Sequence, residues 1–181
     1  MSLELLLDAQ IVIELHHAGA LDLLHGRILS LVCVEEVWDE ITDSPSHVVQ
    51  GRAIREALDG HVRVDSIMLG TPEAATLAAL RSTAAGATKD LGEAGSIALA
   101  SHRPEMVFAT DDRKAAFGAI RELRGRTIEL HGFLRVLADD GADLARVADA
   151  QAAIAIRRRT DKMWSIPPDW WSSGLVRGGV A

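Results

Sequence analysis

Five short apolar segments set the limits on how this chain folds. They are LELLL (Leu3–Leu7), RILSLVC (Arg27–Cys33), His61–Asp65, EMVFA (Glu105–Ala109) and Thr127–Leu130. The first and fourth read as buried strands by their apolar runs, and the second as a β-branched, apolar strand. The third reads as a short strand or edge segment and the fifth as a short strand. Between them the apolar spacing turns helical. Ile11, Val12, Leu15 and Ala18 share one face, with a second short helix over Leu21–Leu24. Val34, Val37, Trp38 and Ile41 share another face. Further helices are predicted over Gln50–Leu58, Thr71–Leu80, from Asp90, and over Arg113–Leu123, Gly132–Ala138 and Asp143–Arg159. Thr71 is placed as an N-cap with Pro72 in the first turn. Strands alternating with helices predict an α/β protein with a parallel sheet covered on both faces. In such sheets ligands bind beyond the carboxyl ends of the strands.

Those ends carry acids. Asp8 follows the first strand, and Glu36 and Glu40 lie in the helix after the second. Asp111 and Asp112 end the strand EMVFA, and Glu93 sits in the first turn of its own helix. Asp8 is equally suited to cap the helix that follows it. Asp90 and Glu93 have the spacing of a capping box. Glu35 and Glu36 fit a solvated face, and an Asp-Asp pair suits a turn. As a group, however, clustered carboxylates repel one another unless a cation joins them. An all-oxygen donor set favours Mg²⁺ or Mn²⁺ over Zn²⁺. Phosphodiester hydrolysis is the natural chemistry of such a site.

Composition narrows the alternatives. The 181 residues suffice for one well-buried core. No apolar run approaches the roughly 20 residues that span a bilayer, so no membrane association is expected. Glu4 and Asp8 stand where a signal peptide would be basic, and a cytoplasmic location is the expectation. The lone Cys33 excludes an internal disulfide framework and a multi-cysteine zinc site. A net charge of −7 argues against a generally basic nucleic-acid coat. Local arginines remain to hold a phosphate backbone: Arg113, Arg121, Arg124 and Arg126, and the run Arg157–Arg159. Neither GxGxxG nor GxxxxGK[ST] occurs, so no nucleotide cofactor is indicated. His16 and His17 are adjacent and project about 100° apart on a helix, a poor chelating pair.

In order along the chain, "LLLDAQIVIELHHAGAL", "VEEVWDEI", "DLGEAGSIALA", "VFATDDRKAAF" and "IELHGFLRVLADDG" resemble the PIN-domain ribonucleases. The resemblance covers roughly residues 3 to 150. It implies a three-layer α/β/α fold with a central, mostly parallel sheet of four to five strands. It makes residues 1–159 the nuclease domain. Residues 160–181, with Pro167, Pro168, Trp164, Trp170 and Trp171, then form a tail expected to pack on the domain or a dimer partner. Carried over position by position, it implies Asp8, Glu40, Glu93 and Asp112 as catalytic acids. Asp8, Glu93, Asp112 and Asp111 are the implied metal ligands, with Asp112 favoured over Asp111. Arg113, Thr110 and Gln10 are implied around the substrate.

The implied activity is metal-dependent endoribonuclease action on RNA with Mg²⁺ or Mn²⁺. The implied setting is the toxin of a toxin–antitoxin pair of the VapBC kind, a homodimer blocked by a small antitoxin. An orphan RNA-processing nuclease fits the same residues. Where the family often carries Ser, Thr or Asn after the first aspartate, this chain has Ala9 and Gln10. Two other classes compete. A phosphatase of the haloacid-dehalogenase kind needs an aspartate where Gln10 stands, and a receiver domain needs paired acids after the first strand. A non-catalytic binding protein on the same scaffold would have no need of the acids.

Overall fold

The computed structural model describes residues 3–43, 48–82 and 90–158. The tail expected over 160–181 and its tryptophans lie outside the described residues. Five strands form one sheet: β1 (Glu4–Leu7), β2 (Ser30–Val34), β3 (Arg63–Asp65), β4 (Met106–Ala109) and β5 (Thr127–Ile128). Their order is β3-β2-β1-β4-β5 and every pairing is parallel. The described helices are α1 (Ala9–His17), α2 (Glu35–Asp43), α3 (Val48–Leu58), α4 (Pro72–Ser82), α5 (Leu91–His102), α6 (Arg113–Glu122), α7 (Leu130–Asp139) and α8 (Leu144–Arg158). A short 3₁₀ turn covers Leu21–Leu24. The architecture is the three-layer α/β/α fold with a parallel sheet that the alternation predicted.

The core follows from the strand sequences. Leu5, Leu6 and Leu7 of β1 are fully buried, as are Val32 and Val34 of β2 and Phe108 and Ala109 of β4. Central parallel strands have helices on both faces, so they need apolar residues without alternation. Each fully buried leucine of β1 contributes about 1.5–3 kcal/mol of transfer free energy. The strand expected from Arg27 begins only at Ser30. The amides of Ile28 and Leu29 donate to the Asp140 carboxylate at 2.9 and 3.3 Å, which withdraws them from the ladder.

Sequence order runs outward from β1 through β2 to β3, then returns across the sheet to β4 and β5. The reversal lies between β1 and β4. At such a point the connections leave in opposite directions and open a crevice beyond the strand ends. Helix α2 starts at the residue after β2, with no loop, and packs on α1, α3 and α5. It is thereby fixed beside that crevice.

Small residues allow the helices to approach. A methyl group on Gly51 of α3 would stand 2.3 Å from the carbonyl oxygen of Thr42 in α2, a backbone atom. One on Gly92 of α5 would stand 2.8 Å from Cγ2 of Val37. Among the described residues no helix is long and apolar enough to cross a membrane. Alanine favours a helix interior over glycine by about 1 kcal/mol. At Gly51 the backbone clash outweighs that gain, and Gly51→Ala is expected to destabilise by about 1–3 kcal/mol. Urea unfolding measures it, and an unchanged or higher midpoint would show that α2 and α3 separate freely.

Candidate active site

Asp8 occupies the N-cap position of α1, and its carbonyl accepts from the amides of Ile11 and Val12 at 3.1 and 3.4 Å. Its side chain makes no capping bond. Instead Oδ2 accepts the hydroxyl proton of Thr110 at 2.5 Å. The strands explain the meeting. Leu7 pairs with Ala109, and the Asp8 amide donates to the Ala109 carbonyl at 2.9 Å. The next residue of each chain is then brought to the same edge, on either side of the reversal point.

Thr110 is fully buried and links two acids. Its Oγ1 donates to Asp8 and accepts from the Asp112 amide at 3.2 Å. The Asp112 carboxylate accepts from the Ala115 amide at 3.1 Å, capping the first turn of α6. Asp112 is exposed. The structure therefore places Asp8, Thr110 and Asp112 in one hydrogen-bonded series.

Glu40 and Asp90 complete the charged surroundings of Asp8. Burial raises the Asp8 pKa to about 7, and the charges of Glu40 and Asp90 add to the rise. Hydrogen bonds from Thr110 and the Ala9 amide work against it. Glu40 is raised as well, first by withdrawal from water and then by Asp90. A Cβ on Gly92 would lie 3.4 Å from Oδ1 of Asp90 and 3.7 Å from Oε2 of Glu40, so the two carboxylates flank the start of α5.

The PIN-domain family model matches residues 4–158, and no curated protein and no solved structure matches the chain. The chain belongs to the PIN-domain family. That makes it a member of a nuclease family, acting on nucleic acid, whose members generally use divalent metal ions.

Within this PIN domain the other residues expected at the site have the following surroundings. Glu93 lies in the first turn of α5, and its amide donates to Oδ1 of Asp90 at 3.1 Å. Its carboxylate stands toward Gly118 of α6, with Oε1 3.7 Å from where a Cβ there would be. Asp111 is engaged by partners of its own. Its Oδ2 is ion-paired with Arg158, and its Oδ1 accepts from the Leu130 amide at 3.4 Å. Gln10 donates to Glu14 at 2.8 Å.

Two roles escaped notice in the sequence, Asp90 as a charge beside Asp8 and Glu14 as a buried acid, and Arg158, expected to hold phosphate, instead pairs with Glu14 and Asp111. The spacing of Asp90 and Glu93 did signal the cap. That the cap would also sit near Glu40 depends on α2 packing on α5. The arginines expected to hold phosphate are partly engaged within the protein. Arg126 donates to the carbonyls of Ala100, Arg103 and Met106 at 2.8, 2.9 and 2.6 Å. Arg157 and Arg158 bind Glu14. The side chain of Arg113 lies outside the described residues.

The donors at this edge are carboxylate oxygens and one hydroxyl, which suits a hard divalent cation in kind. Among the described residues no three Asp, Glu, His or Cys side chains already converge as a metal cage. The burial that raises Asp8 leaves its ionised form in want of a cation, and so fits the same chemistry.

A stability prediction follows for the metal-free protein. The raised pKa means that the folded chain keeps a proton on Asp8 that the unfolded chain has released, between the ordinary value of 3.8 and about 7. Stability then falls as pH rises through that window and levels off above it. Asp8→Asn cannot ionise, so its melting temperature should exceed the wild type's by a margin that grows from about pH 4 to about pH 7. A margin constant with pH in thermal melts would refute the burial of an ionised Asp8.

Proposed function

We propose that this PIN-domain protein is a metal-dependent endoribonuclease and the toxin of a toxin–antitoxin pair. The observation that carries the reading is Asp8, held by Thr110 at the reversal point of the sheet and bordered by Glu40 and Asp90. Asp8 and Asp112 would hold Mg²⁺ or Mn²⁺, with Glu40, Asp90 and Glu93 beside them. A divalent cation held there supplies polarisation of a phosphate oxygen and acidification of water.

The chain's own groups have separate tasks. Thr110 orients the Asp8 carboxylate by donating to Oδ2. Asp112 is anchored through the Ala115 amide. Burial, and then the charge of Asp90, raise the Glu40 carboxyl above its ordinary range, so it holds a proton more readily than a free glutamate. Arg113, the first residue of α6, lies next to Asp112 in sequence and would hold the phosphate backbone. Asp111, engaged with Arg158, is assigned no ligand role.

The choice of RNA and the toxin role rest on the resemblance of the motifs. They imply a homodimer and a small antitoxin that presents a basic side chain to the acids. The direct test is to incubate purified protein with RNA, and separately with DNA, in the presence of Mn²⁺. RNA cleavage abolished by EDTA is expected. Asp8→Asn should lower the rate by about 100-fold or more, beyond what an outer-shell change produces. Equal cleavage by wild type and Asp8→Asn would refute the metal role. Expression of the wild type should arrest growth, with relief by the product of the adjacent gene. Nuclease activity without arrest would instead mark an RNA-processing enzyme.

A further inference from the structure

A second charge cluster, which this chemistry leaves unused, is built from three parts of the chain. Glu14 of α1 is only 2% exposed. The Asp111 side chain, after β4, is only 3% exposed. Arg157 and Arg158 close the cluster from the last turn of α8. Arg158 reaches both acids, Nη1 donating to Asp111 Oδ2 and Nη2 to Glu14 Oε1 at 3.1 Å. Arg157 donates through Nε to Glu14 Oε2 at 3.2 Å and through Nη2 to Oε1. Gln10 adds its amide to Glu14 Oε1 at 2.8 Å.

Stability alone does not account for the arrangement. Buried ion pairs are often matched or bettered by apolar residues of the same volume. A guanidinium fork between two carboxylates fixes direction, which apolar packing does not. The direction matters here because Asp111 lies between Thr110, which holds Asp8, and Asp112, which caps α6. Asp111 is itself tied on both oxygens, to Arg158 and to the Leu130 amide.

We propose that Arg158 is a positioning residue that, by holding Asp111, fixes the Thr110–Asp112 segment against Asp8. Its consequence for catalysis rests on the nuclease reading above; its consequence for the segment does not. The cation at the end of the last described helix thereby sets the geometry of acids supplied by β1 and β4.

The test compares wild type, Arg158→Gln and Arg158→Lys in two measurements. Lysine keeps the charge but lacks the fork that spans both carboxylates. Should Arg158→Gln not fold, with Asp111 left buried opposite no cation, Arg158→Lys and the double variant Arg158→Gln/Asp111→Asn carry the test. The first measurement is amide hydrogen exchange without metal. Exchange at Asp112 and Ala115 should rise about tenfold in each variant, with Leu5–Leu7 of β1 unchanged. No change at Asp112 and Ala115, or an equal rise through β1, would overturn the proposal, the second outcome showing a merely structural role.

The second measurement is Mn²⁺ titration by calorimetry with RNA turnover. Mn²⁺ affinity should weaken about 10-fold or more, and kcat should fall with KM for RNA kept. Wild-type affinity in both single variants would overturn the catalytic consequence. A wild type that neither binds Mn²⁺ nor cuts RNA would refute the nuclease reading, and the exchange result would still decide whether Arg158 holds the segment.

Discussion

The pairing of β1 with β4 is the constraint on which the rest depends. Parallel registry sets Leu7 against Ala109 and passes the amide of Asp8 to the Ala109 carbonyl. The residues after each strand then have no freedom to part, and the Thr110 hydroxyl meets the Asp8 carboxylate at 2.5 Å. This is also where the sheet reverses order, the point at which a crevice opens beyond the strand ends. Fully buried leucines beneath Asp8 keep the strands in register, since a one-residue slip would turn polar neighbours into the core.

Around that point two groups of charge behave differently. Asp8 has acids and a hydroxyl for neighbours, and burial drives its pKa up to about 7. Burial also works to raise Glu14, yet its bonds to Arg157 and Arg158 outweigh it and hold the carboxyl below the ordinary range. The Glu14 group stabilises the fold above the unfolded value of 4.5, and that contribution fades as pH falls through the lower folded value. Asp8 acts oppositely, opposing the fold as pH rises toward neutrality. Arginines compensate the Glu14 carboxylate, whereas burial leads Asp8 to keep its proton up to about pH 7.

Much of this was legible in the sequence. Short apolar runs alternating with helical spacing gave the parallel sheet, and acids after the strands marked the edge where Asp8, Glu40 and Asp112 lie. Thr71 caps α4 as its position suggested, its Oγ1 accepting from the Ala74 amide at 3.2 Å. Local pattern failed where a partner distant in sequence decides the outcome. The second strand starts late because Asp140 captures the amides before it. Asp111 and Asp112 are chemically identical neighbours, and partners distant in sequence, Arg158 and the Leu130 amide, set Asp111 apart. Glu14 sits in an apolar helical stretch whose spacing says nothing of a cation supplied 143 residues later.

The glycines of α5 show how fold and site share one requirement. Gly92 and Gly95 line the face against which α2 lies, with Val37 and Glu40 near the first and Glu36 near the second. A side chain at Gly92 would press on Val37 and crowd the Asp90 and Glu40 carboxylates together. Close approach of α2 and α5 therefore brings Glu40 to Asp90, and through their charges to Asp8. Like charges assembled this way oppose the fold that assembles them. The fold carries them beside the fully buried leucines of β1 and the packing of α2 on α5, a local conflict of the kind expected at functional sites.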